Sequence, residues 1–194
     1  MTVPLDAMND LSDDALLVRY ANGDSEAARA LTARLTPRVF GHAYRLLGNR
    51  PDAEDVTQEA MMRLWKIAPE WRQGEAQVST WLYRVTANLC IDRVRRKPAQ
   101  SLDSIPDPED GAQSVAEMLQ NKARVDALHA ALGALPDRQR QAVVLRHLEG
   151  LGNPEIARIM NIGPRAVESL IARGKRALAV VLAGRRKDLG YTDD

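Results

Sequence analysis

Residues 153–176, NPEIARIMNIGPRAVESLIARGKR, are the stretch that decides the fold. Apolar residues recur at helical spacing in both halves, at Ile156, Ala157 and Met160 and then at Val167, Leu170 and Ile171. Asn161 lies between the halves, where the chain needs a residue that tolerates a positive φ. Pro154 and Pro164 suit the first turns of two helices. The pattern therefore predicts a helix-turn-helix.

The second of these helices carries a polar and basic face. Its apolar residues point inward, which leaves outward Arg165, Ser169, Arg173 and Arg176. A recognition helix presents such a face to the DNA major groove. The alternative is an ordinary helical hairpin with a solvated basic face, because such hairpins also occur in proteins that do not bind DNA.

The composition is that of a globular protein. The chain has 194 residues, of which 45% are hydrophobic and 27% charged, and aromatic residues are few. Cys90 is the one cysteine, so an internal disulfide is impossible, which fits a reducing compartment. No apolar run reaches the ~18 residues of a transmembrane helix, and the acidic N-terminus lacks the apolar core of a secretory signal. We expect a cytoplasmic protein without membrane insertion.

Charge and proline divide the chain. The net charge is +1, yet residues 98–121 contain five acidic residues and no basic one, while residues 122–194 contain 13 basic and 8 acidic residues. Pro98, Pro106, Pro108 and Gly111 make the acidic stretch an expected flexible linker. Strand signals are weak. The predicted fold is all-α, with two small helical bundles, residues 1–97 and 122–194, joined by the linker 98–121, and with the helix-turn-helix in the second bundle.

Helical periodicity and capping residues predict further helices in both bundles. Ser12 can cap a first helix, and a second covers about residues 25–47 with Pro37 as a possible kink or division. Asp52 is the expected cap of a third helix that runs to about residue 67. A fourth helix covers about residues 79–96, and two more precede the helix-turn-helix at about residues 115–132 and 136–147.

The third predicted helix, DAEDVTQEAMMRLWKI, has two faces. Val56, Ala60, Leu64 and Ile67 are spaced to enter a core. The residues that cannot all follow them inward are Asp55, Gln58, Glu59, Met62 and Trp65. An exposed Met and Trp beside Gln and Glu suit a protein-binding face. Packing of Met62 and Trp65 on a neighbouring helix is the alternative.

The fourth predicted helix, STWLYRVTANLCIDRVRRKP, begins with aromatic residues and ends with basic ones. Trp81 and Tyr83 can stack on unpaired bases or pack in the core. Asn88 can hydrogen-bond a base edge or remain a solvated surface residue. The basic run consists of Arg93, Arg95, Arg96 and Lys97. Four cations in five positions exceed what the helix dipole needs, so we expect contacts with phosphates.

Signals for catalysis are poor. His42, His129 and His147 are far apart in sequence and lack metal-ligand spacing with Cys90. There is no Gly-rich phosphate loop and no nucleophile with an evident partner. We therefore expect neither an enzyme nor a bound metal or cofactor.

Several of these segments together resemble a known family. DAEDVTQEAMMRLW, STWLYRVTANLCIDRVRR, LPDRQRQAVVLRHLEGLGNPEIARIM and AVESLIARGKRAL resemble, in this order, the short two-domain extracytoplasmic-function (ECF) sigma factors of the sigma-70 family. The resemblance covers about residues 12–97 and 122–180. It is the order and separation of the segments around an acidic linker that make it specific.

The resemblance implies a role for each segment. The face with Asp55, Gln58, Glu59, Met62 and Trp65 would bind the clamp helices of the largest subunit of RNA polymerase. Residues 81–97 would melt and read the −10 promoter element, with Asn88 at the position linked to capture of a flipped base. Ser169 and Arg173 match recognition-helix positions that contact the −35 element.

Departures from the family concern the −35 contact. Glu168 stands where the family often has Lys or Arg, and it would repel phosphate unless it accepts a hydrogen bond from a cytosine amino group. The resemblance implies a promoter-specificity subunit that makes and breaks no covalent bond. Its expected partners are core RNA polymerase, promoter DNA and a cognate anti-sigma factor. The alternatives are a sigma-like decoy that sequesters an anti-sigma factor, and a conventional helix-turn-helix regulator that dimerises through residues 1–97.

Overall fold

A computed structural model describes residues 10–74, 76–96 and 115–183, without the side chains of residues 115–121. All regular secondary structure in these residues is helical, which confirms the all-α prediction. The first bundle contains α1 (Asp13–Ala21), α2 (Ser25–Leu47), α3 (Arg50–Ile67), a short 3₁₀ turn (Ala68–Glu70) and α4 (Val78–Arg96). The second contains α5 (Val115–Gly133), α6 (Asp137–Val143), a π-helical turn (Val144–Leu148), α7 (Asn153–Met160) and α8 (Pro164–Ala183).

Caps set the helix starts in the first bundle. The Ser12 side chain accepts a hydrogen bond from the Ala15 amide at 3.2 Å, as predicted. The prediction that Asp52 caps α3 is wrong: Asn49 is the cap, and its side chain accepts from the Asp52 amide at 2.9 Å. The reason is that Pro51 is tolerated in a first helical turn, so the helix begins earlier than the sequence Arg-Pro suggests. α2 continues as one helix through Pro37.

The helix expected at residues 136–147 changes its geometry partway. After α6, the amide of Glu149 donates to the carbonyl of Val144 at 3.0 Å, five residues back, which is the bond of a π-turn. Val144 and Leu145 are both fully buried in this wider turn. Glu149 is thereby placed where the second bundle faces the first.

The helix-turn-helix is confirmed. α7 ends at Met160, and its C-cap Asn161 has φ 52° and occupies the left-handed region as expected. Val167 is buried on the inner face of α8, with Leu170 and Ile171 packed beside it. The sequence analysis missed Gly174, at which an added Cβ would lie 2.5 Å from Cγ2 of Val143. At this point, therefore, α8 crosses α6 more closely than any larger residue allows.

The two bundles pack against each other. Each has its own core, around Leu31 and Leu64 in the first and around Ile156 and Ile159 in the second. A further hydrophobic cluster, called here the shared cluster, takes residues from both: Ala43, Leu46, Ala53, Val56, Ala87 and Cys90 from the first, and Leu132, Leu135, Val143 and Val144 from the second. The sequence predicts two bundles but contains no signal for this contact.

The predicted linker, residues 98–121, lies outside the described residues up to residue 114, and its last seven residues begin α5. Lys97 also lies outside them. Among the helices that the structure describes, none has the length and apolar character needed to cross a membrane.

Candidate functional site

The predicted protein-binding face lies along α3. Asp55 and Gln58 are exposed, Glu59 is partly exposed, and Met62 keeps 58% of its surface exposed. Trp65 is half-buried and packs edge-on against Tyr20, with ring centroids 4.7 Å apart. Met62 is therefore available to a partner, whereas Trp65 also stabilises the first core. Met62 thus has the exposure that a protein-binding face needs, whereas Trp65 packs on a neighbouring helix as the alternative predicted.

Arg93 belongs to this same face. Its Nε donates to Oδ1 of Asp52 at 3.0 Å, and its terminal nitrogen donates to Asp55. The hydrogen bond with Asp55 is the main cause of a raised Arg93 pKa. Arg93 and Arg96 line a cleft between α3 and α4 together with Asp55, Glu59 and Met62. In this arrangement the Arg93 guanidinium pairs with both carboxylates and organises the α3 surface, and its contact with a DNA phosphate stays a prediction.

The opposite side of α4 carries a second stripe. Arg84, Asn88, Ile91 and Arg95 follow one another at intervals of four, three and four residues, so they share one helix face. Asn88 and Arg95 are exposed, as a role in DNA contact requires. Arg84 was not among the predicted site residues, although its spacing from Asn88 could have identified it. We call these four residues the α4 stripe.

Both predicted stacking residues are engaged in packing. Trp81 is half-buried against the first core and lies edge-on to Trp71, with centroids 6.2 Å apart. The Tyr83 ring lies edge-on to His42 at 4.8 Å, and its hydroxyl donates to Oε2 of Glu149 at 3.3 Å. Stacking on bases would require both rings to leave these contacts.

The predicted recognition face of α8 is open to solvent. All five residues assigned to the −35 contact are exposed: Arg165, Glu168, Ser169, Arg173 and Arg176. Nε of Arg173 donates to the carbonyl oxygen of Ser169 at 3.3 Å, one turn back on the same face. Since four of the five residues recur at intervals of three or four, they form a continuous stripe suited to a groove.

Glu149 lies at the centre of a polar cluster that the sequence did not indicate. Its Oε1 accepts from Arg45 at 2.8 Å and lies 3.2 Å from Nδ1 of His42, while Oε2 accepts from Tyr83. His42 is fully buried, and Glu149 comes from the other bundle, 107 residues along the chain. These four residues are called the Glu149 cluster below.

Protonation in the Glu149 cluster follows from its surroundings. Burial acts to raise the pKa of Glu149, but its hydrogen bond with His42 and the nearby positive charge outweigh burial, so the pKa lies below its usual value. Burial lowers the pKa of His42 and raises that of Tyr83 to about 12. An ionised carboxylate only accepts hydrogen bonds, so Nδ1 of His42 carries the proton. Nε2, which is buried, has no hydrogen-bond partner among the residues that the structure describes.

The described residues offer little for covalent or metal chemistry. Within residues 10–74, 76–96 and 115–183, no group of three or more His, Cys, Asp or Glu side chains is placed to hold a metal ion. Burial raises the pKa of the Cys90 thiol to about 12, so the reactive thiolate is scarce at neutral pH.

Sequence comparison identifies both bundles. The Sigma-70 region 2 family matches residues 31–99, and the Sigma-70 region 4 family matches residues 126–178. The ECF RNA polymerase sigma factor SigW of Bacillus subtilis is 33% identical over 167 residues, which cover 80% of this chain and 89% of that protein. SigM of Mycobacterium tuberculosis is 32% identical over 171 residues, with 88% and 85% covered. SigE of Mycolicibacterium smegmatis is 36% identical over 170 residues, but this chain spans only 65% of its length.

Solved structures share the fold. CnrH, in complex with the cytosolic domain of CnrY, matches with a TM-score of 0.68 at 24% identity, over 89% of this chain and 97% of that one. RpoE of Bartonella quintana, in complex with the anti-sigma factor NepR, matches with a TM-score of 0.62 at 19% identity, over 78% and 94%.

Proposed function

Since this chain belongs to the ECF RNA polymerase sigma factors, we propose that it binds core RNA polymerase and directs promoter-specific initiation of transcription. Residues 1–97 act as the region 2 domain that binds polymerase and the −10 element. Residues 122–194 act as the region 4 domain that binds the −35 element, and residues 98–121 connect them. The protein works in the cytoplasm and is not itself an enzyme.

One observation carries the proposal. The exposed stripe on α8 places Arg165, Ser169, Arg173 and Arg176 on the outer face of the second helix of a helix-turn-helix. A helix in this position reads base edges through its exposed side chains while its cations contact phosphates. Glu168 beside the stripe accepts a hydrogen bond only from an amino donor such as that of cytosine, and it would repel a phosphate.

The α3 face supports the proposed binding of core RNA polymerase. Met62 is a large apolar side chain surrounded by Asp55, Gln58 and Glu59, and Asp55 is held in place by Arg93. An exposed apolar centre with a polar rim is the usual composition of a protein interface. We assign this face to the clamp helices of the polymerase.

Regulation by an anti-sigma factor is part of the proposal. CnrH is found with the cytosolic domain of CnrY and RpoE with the anti-sigma factor NepR, and both share the fold of this chain. A protein that clasps both bundles would block polymerase and promoter at once.

In vitro transcription tests the proposed function. Fragmented genomic DNA from the source organism is transcribed by core RNA polymerase with and without this protein. We expect defined transcripts only with the protein, and the sequences upstream of their start sites should share two elements. Core binding without transcripts would favour a decoy, and the absence of both would favour a conventional regulator.

A pair of variants sharpens the test. Arg173→Ala should lower transcription from the identified promoters by roughly tenfold, since one good base contact contributes about 1–3 kcal/mol of discrimination. Arg29→Ala is the control: it also removes one arginine, which is exposed and pairs with Glu26 on α2. Equal activity of the two variants would remove α8 from promoter recognition.

A further inference from the structure

We propose that Arg93, near the end of the helix assigned to promoter DNA, is a positioning residue for polymerase binding: it holds Asp55 of the α3 face in the orientation that a polymerase side chain meets. The inference rests on the proposed function, because it concerns the face that we assign to core RNA polymerase. It gives one arginine of the predicted −10 contact a different partner. The place of Arg93 on α4 and its contacts with α3 carry it.

Arg93 lies on the side of α4 that faces away from the α4 stripe. An α-helix turns by about 100° per residue, so Arg93 lies roughly 140° around the helix axis from Asn88 and roughly 200° from Arg95. Asn88 and Arg95 are both exposed on the stripe. Arg93 instead lines the cleft between α3 and α4, together with Met62. A DNA strand that follows the stripe therefore passes the opposite side of the helix from the Arg93 guanidinium.

The Arg93 guanidinium bridges one buried and one exposed carboxylate. Its Nε donates to Oδ1 of Asp52 at 3.0 Å, and the Asp52 side chain is only 10% exposed. Its terminal nitrogen donates to Oδ2 of Asp55, whose side chain is 60% exposed. A planar guanidinium with a fixed fork of donors suits such a bridge, whereas a lysine ammonium is a point charge. Asp52 thus fixes the arginine, and the arginine fixes Asp55.

Asp55 differs in this respect from its neighbouring carboxylates on α3. Glu54 pairs with Arg50 at 3.0 Å, four residues away on the same helix. Glu59 pairs in the same way with Arg63 at 2.7 Å. Exposed pairs of this kind are weak and rearrange readily. Asp55 is held from another helix, by an arginine that is itself anchored in the protein, so it is the best ordered of these three carboxylates.

The order of the Asp55 side chain raises its affinity for a partner. A side chain that is already ordered loses less conformational entropy when a partner binds. Arg93 donates to Oδ2, and a carboxylate has further accepting capacity on its other oxygen. A polymerase side chain that donates from a guanidinium, an ammonium or an amide can therefore bind Asp55 without displacing Arg93. Loss of Arg93 would leave Asp55 on the face but free to change its rotamer.

Two substitutions of Arg93 separate a role in polymerase binding from a role in DNA binding. Arg93→Lys keeps a positive charge beside Asp52 but removes the fork that bridges two carboxylates. Arg93→Met removes the charge and keeps the apolar stem. Arg95→Met is the contrast on the stripe of the same helix, and Arg29→Lys is the matched control at an exposed ion pair on α2. The full-length proteins are titrated into core RNA polymerase, and at saturating core the complexes are titrated with promoter DNA over a range of salt concentrations.

We expect both Arg93 variants to bind core polymerase roughly fivefold more weakly than the wild type, within the range of coupling between residues in contact. Arg95→Met and Arg29→Lys should bind core as the wild type does. In the DNA titration, Arg95→Met should reduce the dependence of log K on log salt concentration by about one unit, whereas Arg93→Met should leave it unchanged. Normal core binding by Arg93→Lys, or a reduced salt dependence for Arg93→Met, would overturn the proposal. Should Arg93→Met fail to fold, core binding by Arg93→Lys still decides.

A double-mutant cycle shows whether Arg93 acts through Asp55. Asp55→Asn should weaken core binding by itself, and Arg93→Lys combined with it should weaken binding no further, because the side chain that Arg93 positions is already changed. Losses that add on a logarithmic scale would mean that Arg93 acts by stabilising the bundle in general, and they would overturn the positioning role.

NMR and transcription separate this inference from the proposed function. In the free protein, the signal of the Arg93 Nε–H should shift in Asp55→Asn, because the guanidinium loses a partner. If the wild type binds core and directs transcription while Arg93→Lys does so equally well, the sigma activity stands and the positioning role fails. If the wild type binds no core, both fail, and the Arg93 signal then still reports whether the bridge to Asp55 exists.

Discussion

Replacement of Gly174 by alanine tests the packing on which the recognition helix depends. Gly174 lies within α8, where alanine would ordinarily improve helix stability by about 1 kcal/mol. An added Cβ would, however, lie 2.5 Å from Cγ2 of Val143 and 3.3 Å from the carbonyl oxygen of Gln139. Neither neighbour moves easily, since one is a buried β-branched side chain and the other is backbone.

The two effects oppose each other, and their magnitudes decide the outcome. Overpacking of a core costs about 1–3 kcal/mol, and the short approach to Val143 places this site at the upper end. We therefore expect Gly174→Ala to destabilise the protein by about 2 kcal/mol net, which corresponds to roughly 4–8 °C in Tm for a chain of this size. Thermal and urea unfolding followed by circular dichroism would measure it.

Gly133→Ala is the matched control. Gly133 ends α5, and no atom lies within 4 Å of the position that its Cβ would take. Its substitution should change stability by less than about 0.5 kcal/mol. If Gly174→Ala proved as stable as the wild type or more so, the close crossing of α6 and α8 would be refuted.

Three further predictions concern other parts of the chain. Leu64→Ala should lower the free energy of unfolding in urea by about 2–5 kcal/mol, because Leu64 is fully buried. Met62→Ala should change that free energy by less than about 0.5 kcal/mol but weaken binding of core polymerase in a titration. A Met62→Ala protein that is destabilised yet binds polymerase normally would contradict the assignment of α3. Burial lowers the pKa of His42, so the unfolded chain takes up a proton more readily and stability should decline as the pH falls from 7.5 through 6.5. His42→Asn keeps a donor near Glu149 but cannot titrate, and it should reduce that decline by at most about 1.4 kcal/mol per pH unit; identical pH profiles would argue against a buried neutral His42. Arg176→Ala should reduce the salt dependence of promoter binding, in a plot of log K against log salt concentration, by about one unit, and an unchanged slope would remove Arg176 from phosphate contact.

Local signals in the sequence predicted local structure well. Ser12 as a cap and Asn161 at a left-handed turn were both confirmed, because each depends on the backbone of a few neighbouring residues. The prediction that Asp52 caps α3 was wrong because Asn49 is an equally good cap and Pro51 fits inside the first turn. The π-turn at Val144–Leu148 was missed, since its apolar residues follow a pattern that an ordinary helix also satisfies.

Contacts between distant residues were beyond the reach of sequence patterns. Glu149 and His42 are 107 residues apart, and neither belongs to a motif that would predict their meeting. The basic run of α4 was predicted as one patch, yet the structure separates Arg93, beside Asp52 and Asp55, from Arg95 on the α4 stripe. The helical periodicity alone puts Arg93 and Arg95 on different faces of α4. Only the packing of α3 against α4 shows that Arg93 meets carboxylates there.

The shared cluster has a consequence for protein engineering. If each bundle reads one promoter element, as we propose, a chimera of two such chains could combine two specificities. In this chain the apolar surface around Ala87 and Cys90 is shaped to Leu132, Leu135 and Val144, so each bundle is half of a matched pair. A chimera with a foreign second bundle would keep both reading surfaces and lose this fit. We expect such hybrids to be prone to association through the exposed apolar surface.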